Sequence, residues 1–375
     1  MIYLDHNATT PVLPEVIEAL LPFYRDKFGN PSSIHWAGRA VKEAVEEARE
    51  RVALLVNCDP AEVLFTSCGT EANNTALKGI ASALRDRGNH IITTRVEHPA
   101  VTNPCQFLEH AGYRVTWLEV NEYGLPDLDA LEAAIGPDTI LITIMAANNE
   151  TGVIMPLAEI GAIARRHRVY LHSDAVQAAG KLPLDCRSLD LQLLSVSGHK
   201  LYAPKGVGAL VIRKGVKLHP LLHGGAQERN RRAGTENVAG IVAFGTACEL
   251  ARISLVEESR RLLRLRRRLE EGITAAVPGV VLVGAAVPRL PNTATFCFPG
   301  VAADSLLFNL DLEGIACSSG SACSSGTLKS SPVLTAMGFS PELARGTIRF
   351  SLGRGNTETE IDRVTELLPT IVARL

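Results

Sequence analysis

Short apolar runs alternate with amphipathic stretches along the first two thirds of the chain. The runs at 62–66, 90–94, 113–118, 140–145, 169–172, 191–196 and 207–212 are short and rich in β-branched residues, which predicts buried strands. Helical spacing follows Pro14 at Val16, Ile17, Leu20 and Leu21 and recurs at 37–56, 69–77, 128–134 and 157–166. The 37–56 stretch mixes both signs of charge and is expected to present a solvated face. Strand and helix in alternation predict an α/β domain, a mostly parallel sheet covered by helices on both sides.

Two further helices are expected at 239–251 and 260–273, the second with Leu262, Leu265, Leu269 and Ile273 on one face. From about Gly279 the pattern changes to antiparallel-looking pieces at 280–283, 293–298 and 347–351, with helices at 304–310 and 359–375. These predict a smaller α+β domain. The expected division is a large domain over 15–255 and a small one over 1–14 and 256–375. Within the small domain, 317–332 is a Ser/Gly run too polar to pack, expected as a mobile loop with Cys323 at its centre.

Polar residues gather where the strands stop. Leu193-Leu194-Ser195-Val196 ends at Ser197-Gly198-His199-Lys200, so a buried strand delivers a lysine to its carboxyl end. Glu97-His98, Asn148-Asn149-Glu150 and Ser173-Asp174-Ala175-Val176-Gln177 follow other strands, and ligands of such sheets bind beyond those ends. Ser67-Cys68-Gly69-Thr70-Glu71 joins a strand to a helix, where exposed N–H groups and the helix dipole favour a phosphate. The same residues also serve as an ordinary helix cap.

Composition narrows the field. A net charge of -2 over 375 residues gives no basic stripe for nucleic acid, and Arg260, Arg264, Arg267 and Arg268 are offset by Glu257, Glu258, Glu270 and Glu271. No charge-free run is both long and apolar enough for a membrane span, and the first residues lack the pattern of a secretory signal. A cytoplasmic protein acting on small soluble substrates is expected. The 8 cysteines include no CxxC pair, which argues against a structural zinc site and for free thiols.

An amine at a strand end, a phosphate-binding turn, an acid and an imidazole together match what pyridoxal 5'-phosphate requires. Lys200 would form a Schiff base with its aldehyde, Asp174 would keep its ring nitrogen protonated, Gln177 would reach its ring oxygen and His98 would stack on its ring. Each has a plainer reading as well. Asp174 also suits a helix cap, Gln177 a surface position and His98 a hydrogen-bonded core histidine.

The chain resembles the cysteine desulfurases, more narrowly their nitrogen-fixation and iron–sulfur-assembly group. The resemblance rests on Asp5-His6-Asn7-Ala8-Thr9-Thr10-Pro11, Phe28-Gly29-Asn30-Pro31-Ser32-Ser33, Phe65-Thr66-Ser67-Cys68-Gly69-Thr70-Glu71 and Glu97-His98-Pro99-Ala100-Val101. It continues through Ala147-Asn148-Asn149-Glu150-Thr151-Gly152, Asp174-Ala175-Val176-Gln177, Ser197-Gly198-His199-Lys200 and Arg232-Ala233-Gly234-Thr235-Glu236-Asn237. Ser318-Ser319-Gly320-Ser321-Ala322-Cys323 and Ile348-Arg349-Phe350-Ser351-Leu352-Gly353-Arg354 complete it, so it spans the whole chain.

The resemblance implies a pyridoxal-phosphate-dependent, aminotransferase-like fold of fold type I. It implies that Gly69, Thr70, Ser197 and His199 hold the phosphate, with Thr235 reaching in from the second subunit of a homodimer with shared active sites. Asn149 also belongs to the cofactor site, and Asn149, Arg349 and Asn7 would bind the substrate, L-cysteine. Lys200 and His98 would move protons, and Cys323 would take the sulfur as a persulfide for an iron–sulfur scaffold or another acceptor protein. Apart from the resemblance, thiolates are the ligands iron–sulfur clusters use, which makes Cys323 a candidate ligand to a cluster shared with that scaffold.

Two features depart from the family pattern. Lys329 stands where many relatives carry an acidic residue and a proline, and its charge is expected to favour the Cys323 thiolate. The chain stops at Leu375, without the longer tail some relatives use for docking, which leaves the acceptor less specified than the chemistry. The rival readings are a selenocysteine lyase or other β-eliminating enzyme, an aminotransferase, and a non-catalytic sulfur-assembly subunit.

Overall fold

The computed structural model describes residues 1–319 and 331–375. Cys323 and Lys329 lie outside the described residues, as does most of the 317–332 run. In chain order the strands are β1 (Ile2–Tyr3), β2 (Val63–Thr66), β3 (His90–Thr94), β4 (Arg114–Leu118), β5 (Thr139–Thr143) and β6 (Tyr170–Asp174). They continue with β7 (Leu193–Ser197), β8 (Gly208–Ile212), β9 (Val281–Leu282), β10 (Thr293–Cys297), β11 (Ile315–Ala316) and β12 (Thr347–Ser351).

The seven predicted apolar runs form one sheet in the order β2-β8-β7-β6-β5-β3-β4. Neighbours from β7 to β4 are parallel, and β8 is antiparallel to both β7 and β2. Two reversals leave β2 parallel to β7. The carboxyl ends of β2, β3, β5, β6 and β7 therefore face one edge of the molecule.

Side-chain alternation divides the sheet between two cores. Leu64, Ile91, Leu141, Leu193 and Leu210 pack with Ala76, Leu77 and Ile80 of the helix Gly69–Ala83. Phe65, Ile92, Ile142, Leu194 and Val211 pack on the other face with Val45 and Val52 of the helix Trp36–Val56. Both faces are covered, as a parallel sheet with crossover helices requires. The 37–56 helix presents its expected solvated face through Arg39, Lys42, Glu43, Glu47 and Glu50, and on its other face Val41, Val45, Val52 and Val56 are buried, as is Arg49, which forms a 2.8 Å ion pair with buried Glu228.

The two helices expected at 239–251 and 260–273 are one, Val238–Ala276. No glycine or proline interrupts 252–259, so nothing ends the first helix before the second begins. Ile241, Phe244 and Cys248 join the core of the large sheet, whereas Leu262, Leu265, Leu269 and Ile273 join Phe296, Phe298 and Phe350 in a second core. The expected boundary at 255/256 falls inside this helix. One 18-residue window reaches mean hydropathy 1.5, enough by length and composition to cross a bilayer, which the sequence reading did not foresee; 61% of it is buried inside the protein, as in a core helix.

The antiparallel pieces pair as β12-β10-β9, and β1 pairs in parallel with β11. Asp5 bridges to Ser351 on β12, and the chain then carries residues 6–10 toward the edge of the large sheet. The N-terminal segment thus runs between the two sheets.

Candidate active site

A cavity of about 350 Å³ opens at the common edge of the strands. Its walls include Asn7, Gly69, Thr70, His98, Asn149, Asp174, Gln177, Ser197, His199, Lys200 and Arg349. Among the described residues, every expected site residue except Thr235 is there. Thr235 lies instead beside Ser67, Glu228 and Arg232 in a separate crevice of about 90 Å³.

Asp174 is the last residue of β6 and is buried. Its Oδ2 accepts from Asn73 Nδ2 at 2.6 Å and its Oδ1 from the Val176 N–H at 2.9 Å. Asn73 had not been expected in the site. It follows Gly69 by one helical turn on the face toward the strand ends, a spacing that was visible in the sequence.

His98 caps the helix Pro99–His110, its Nδ1 accepting from the Ala100 N–H at 3.0 Å. Burial holds its pKa below the ordinary histidine value, opposed by the Asp174 charge and reinforced by Lys200. The neutral ring with Nδ1 as acceptor carries its proton on Nε2. The helix Gly69–Ala83 is different, because its N-cap residue Cys68 makes no side-chain capping bond. Its first turn is left with N–H groups for an anion.

Lys200 occupies the short turn Gly198–Lys200 after β7. Its Nζ donates to the carbonyl oxygens of Asn7 and Ala8, each at 2.5 Å. Asn7 O also accepts from Gln177 Nε2 at 3.0 Å. The side chain of Asn7, expected to bind substrate, is engaged within the protein: its Nδ2 donates to Asn149 O and Thr293 Oγ1, and its Oδ1 accepts from Asn292 Nδ2. Its carbonyl faces the functional lysine instead. His199 Nδ1 lies 3.2 Å from Thr9 Oγ1, and burial with the nearby Lys200 lowers its pKa to about 4.

Arg349 projects from the middle of β12 and is buried. Nη1 donates to Asn149 O at 2.9 Å and Nη2 to Asp5 Oδ1 at 2.7 Å. Behind His98, buried Glu97 ties two strand ends, its Oε1 accepting from Thr94 Oγ1 and the Met145 N–H. Burial pushes its pKa up to about 8.

Several buried polar atoms around the cavity lack any partner: Ser197 Oγ, Gln177 Oε1 and Asn149 Oδ1. Such atoms are costly unless a ligand satisfies them. A Cβ on Gly69 would come within 2.7 Å of Val176 Cγ2 and 3.4 Å of Ser197 Cβ, so backbone close to this wall is possible only with glycine. An open helix end, an acid, a half-buried imidazole and an amine around these atoms fit pyridoxal phosphate.

The fold and these residues define a pyridoxal-phosphate enzyme of the aminotransferase type, and the chain belongs to the family described as aminotransferase class-V, whose model matches residues 2–364. Within that class it belongs with the cysteine desulfurases. It is 51% identical over 374 residues to the cysteine desulfurase IscS of Methanosarcina thermophila, covering 100% of this chain and 92% of the relative. A solved NifS-like protein superposes with TM-score 0.94 at 39% identity, covering 100% of both chains. A structure described as SspA in complex with cysteine is 35% identical with TM-score 0.83, covering 94% of this chain and 99% of that one.

The remaining cysteines bear on the nucleophile. Burial raises the thiol pKa of Cys58, Cys105, Cys186, Cys248, Cys297 and Cys317, which keeps them as poorly reactive thiols. Cys323, expected as nucleophile and as cluster ligand, lies outside the described residues. Among the described residues no cluster of three or more His, Cys, Asp or Glu is arranged to hold a metal ion.

Proposed function

We propose that the protein is a cysteine desulfurase that converts L-cysteine to L-alanine and passes the sulfur to Cys323 as a persulfide. The observation that carries this reading is the convergence of Lys200, Asp174, His98 and Arg349 on one cavity in a chain 51% identical to a named cysteine desulfurase. The 35% identical neighbour solved with cysteine supports the substrate.

Bound pyridoxal phosphate supplies an electron sink for the substrate α-carbon. Gly69, Thr70, Ser197 and His199 would hold its phosphate, Asp174 its ring nitrogen and Gln177 its ring oxygen. His98 would stack on the ring from the helix cap and offers Nε2 for proton transfer. Lys200, released from the Asn7 and Ala8 carbonyls, carries the proton taken from the α-carbon. Arg349 and Asn149 bind the substrate carboxylate and so fix which face of the α-carbon meets Lys200.

Sulfur transfer balances without an outside oxidant. The Cys323 thiolate attacks the substrate sulfur, the carbon–sulfur bond breaks toward carbon, and that carbon takes a proton to become the methyl of alanine. The products are a persulfide and alanine.

We also assign the functional unit as a homodimer. Thr235 does not line the cavity of its own chain, which suits a role in the partner's site. Tyr24, Phe28, Ile34 and Trp36 expose 70–91% of their surface over a short span, an apolar patch suited to burial against a second copy. The free cysteines fit a reducing cytoplasm, and the sulfur acceptor is assigned as an iron–sulfur scaffold or another acceptor protein.

The test is a product balance. With L-cysteine and a thiol reductant the enzyme should form alanine and sulfide in equal amounts, and Cys323→Ser should form neither at a comparable rate. Selenide release from L-selenocysteine that survives Cys323→Ser, with no turnover of cysteine, would replace this reading with that of a lyase.

A further inference from the structure

The Arg349 side chain is 3% exposed, and its guanidinium needs both a counter-charge and acceptors for its N–H groups. Two acceptors are resident. Asp5 Oδ1 takes Nη2 at 2.7 Å and Asn149 O takes Nη1 at 2.9 Å. The Nε–H is buried and unpaired. A carboxylate binds arginine best through adjacent N–H groups, and the Nε–H is the donor these partners leave over.

Asp5 is itself held in place. It bridges β12 at Ser351, its carbonyl accepts from Tyr3 Oη at 3.0 Å, and the Ala8 N–H returns to the same carbonyl at 3.0 Å. The Arg349 main chain is pinned from the other side, donating to Ser318 O at 2.6 Å and accepting from Ser318 N at 3.2 Å. A side chain with several rotatable bonds is thus locked by one carboxylate oxygen and one carbonyl.

We propose that Asp5 is a positioning residue for the substrate carboxylate, holding Arg349 so that its unpaired Nε–H edge meets the incoming ligand. This rests on the reading of Arg349 as the carboxylate site. Asp5 does not touch the reacting atoms. It also begins the segment whose next carbonyls, those of Asn7 and Ala8, hold Lys200, so one stretch of four residues sets both cations of the substrate side.

The experiment compares binding of L-alanine and L-alaninamide to the holoenzyme through the cofactor absorbance, since only the first carries the carboxylate. Asp5→Ala should cut the preference for alanine about tenfold, and Asp5→Asn, which keeps an oxygen acceptor, should restore most of it. Asp5→Ser, too short to reach Nη2, should behave like Asp5→Ala and serves if that variant folds poorly. A general structural defect would weaken both ligands and leave the ratio alone. An unchanged ratio in Asp5→Ala and Asp5→Ser, with Arg349→Lys losing it, overturns the role of Asp5 while sparing the carboxylate site. An unchanged ratio in Arg349→Lys overturns both.

Discussion

The two sides of the cavity are built differently. On the side of the large sheet, the helix at Gly69 is uncapped and Ser197 Oγ and Gln177 Oε1 are buried without partners. On the side of the N-terminal segment and β12, the two cations already have partners: Lys200 on the Asn7 and Ala8 carbonyls, Arg349 on Asp5 and Asn149 O. One side waits for a group to complete it, whereas on the other Lys200 must exchange partners when a ligand arrives and Arg349 keeps its partners and offers its unpaired Nε–H. This suits a cofactor that stays and a substrate that comes and goes.

The largest effect should come from the residue that serves both sides. Lys200→Ala should lower alanine formation by at least about 10³-fold, because it removes both the covalent amine and the proton carrier. Replacing Gly69 breaks the open side alone. In Gly69→Ala the new Cβ meets Val176 Cγ2 at 2.7 Å, and pyridoxal phosphate should bind about tenfold or more weakly while the KM for cysteine at saturating cofactor changes little. A rise in KM with unchanged cofactor affinity would show that the two sides are not separable.

Asn73→Ala tests the support beneath Asp174. It removes a 2.6 Å hydrogen bond from a buried carboxylate and should weaken cofactor binding about fivefold to tenfold, read from a cofactor titration. The smallest effect concerns Glu97 and is seen in stability against pH. Its folded pKa, about 8, lies above the unfolded value of a glutamate, so its contribution is fully present below about pH 4.5 and is lost as pH rises through 8. Glu97→Gln should leave melting unchanged near pH 5 and raise it above wild type at pH 9. His6 and His172 give the opposite arm: burial lowers them to about 4 and about 3, so their stabilisation is present above about pH 6.5 and lost as pH falls toward those values.

Much of this was legible in the residues, and the exceptions share a cause. Six of the seven strands are buried on both faces and were visible as short apolar runs, and the edge strand β4, only partly buried, was visible through Val115, Trp117 and Leu118. Lys200, Asp174 and His98 stood out because each follows such a run directly. Arg349 sits between Ile348 and Phe350 inside a strand, where no local pattern marks it, and only the family resemblance pointed to it. The carbonyls of Asn7 and Ala8 act through main chain, which every residue possesses, so no side-chain signal exists for them. The single helix Val238–Ala276 was divided in expectation because its apolar stripe shifts from one core to the other near residue 255, although no breaker lies there.

The most direct measurement is peptide-mass mapping of the purified holoenzyme after brief exposure to L-cysteine without added thiol. The account predicts one extra sulfur on the peptide carrying Cys323, alanine in solution and no added sulfur on the buried cysteines. Alanine formed with the added sulfur on Cys68 alone, or free sulfide released while Cys323 stays unmodified, would contradict it.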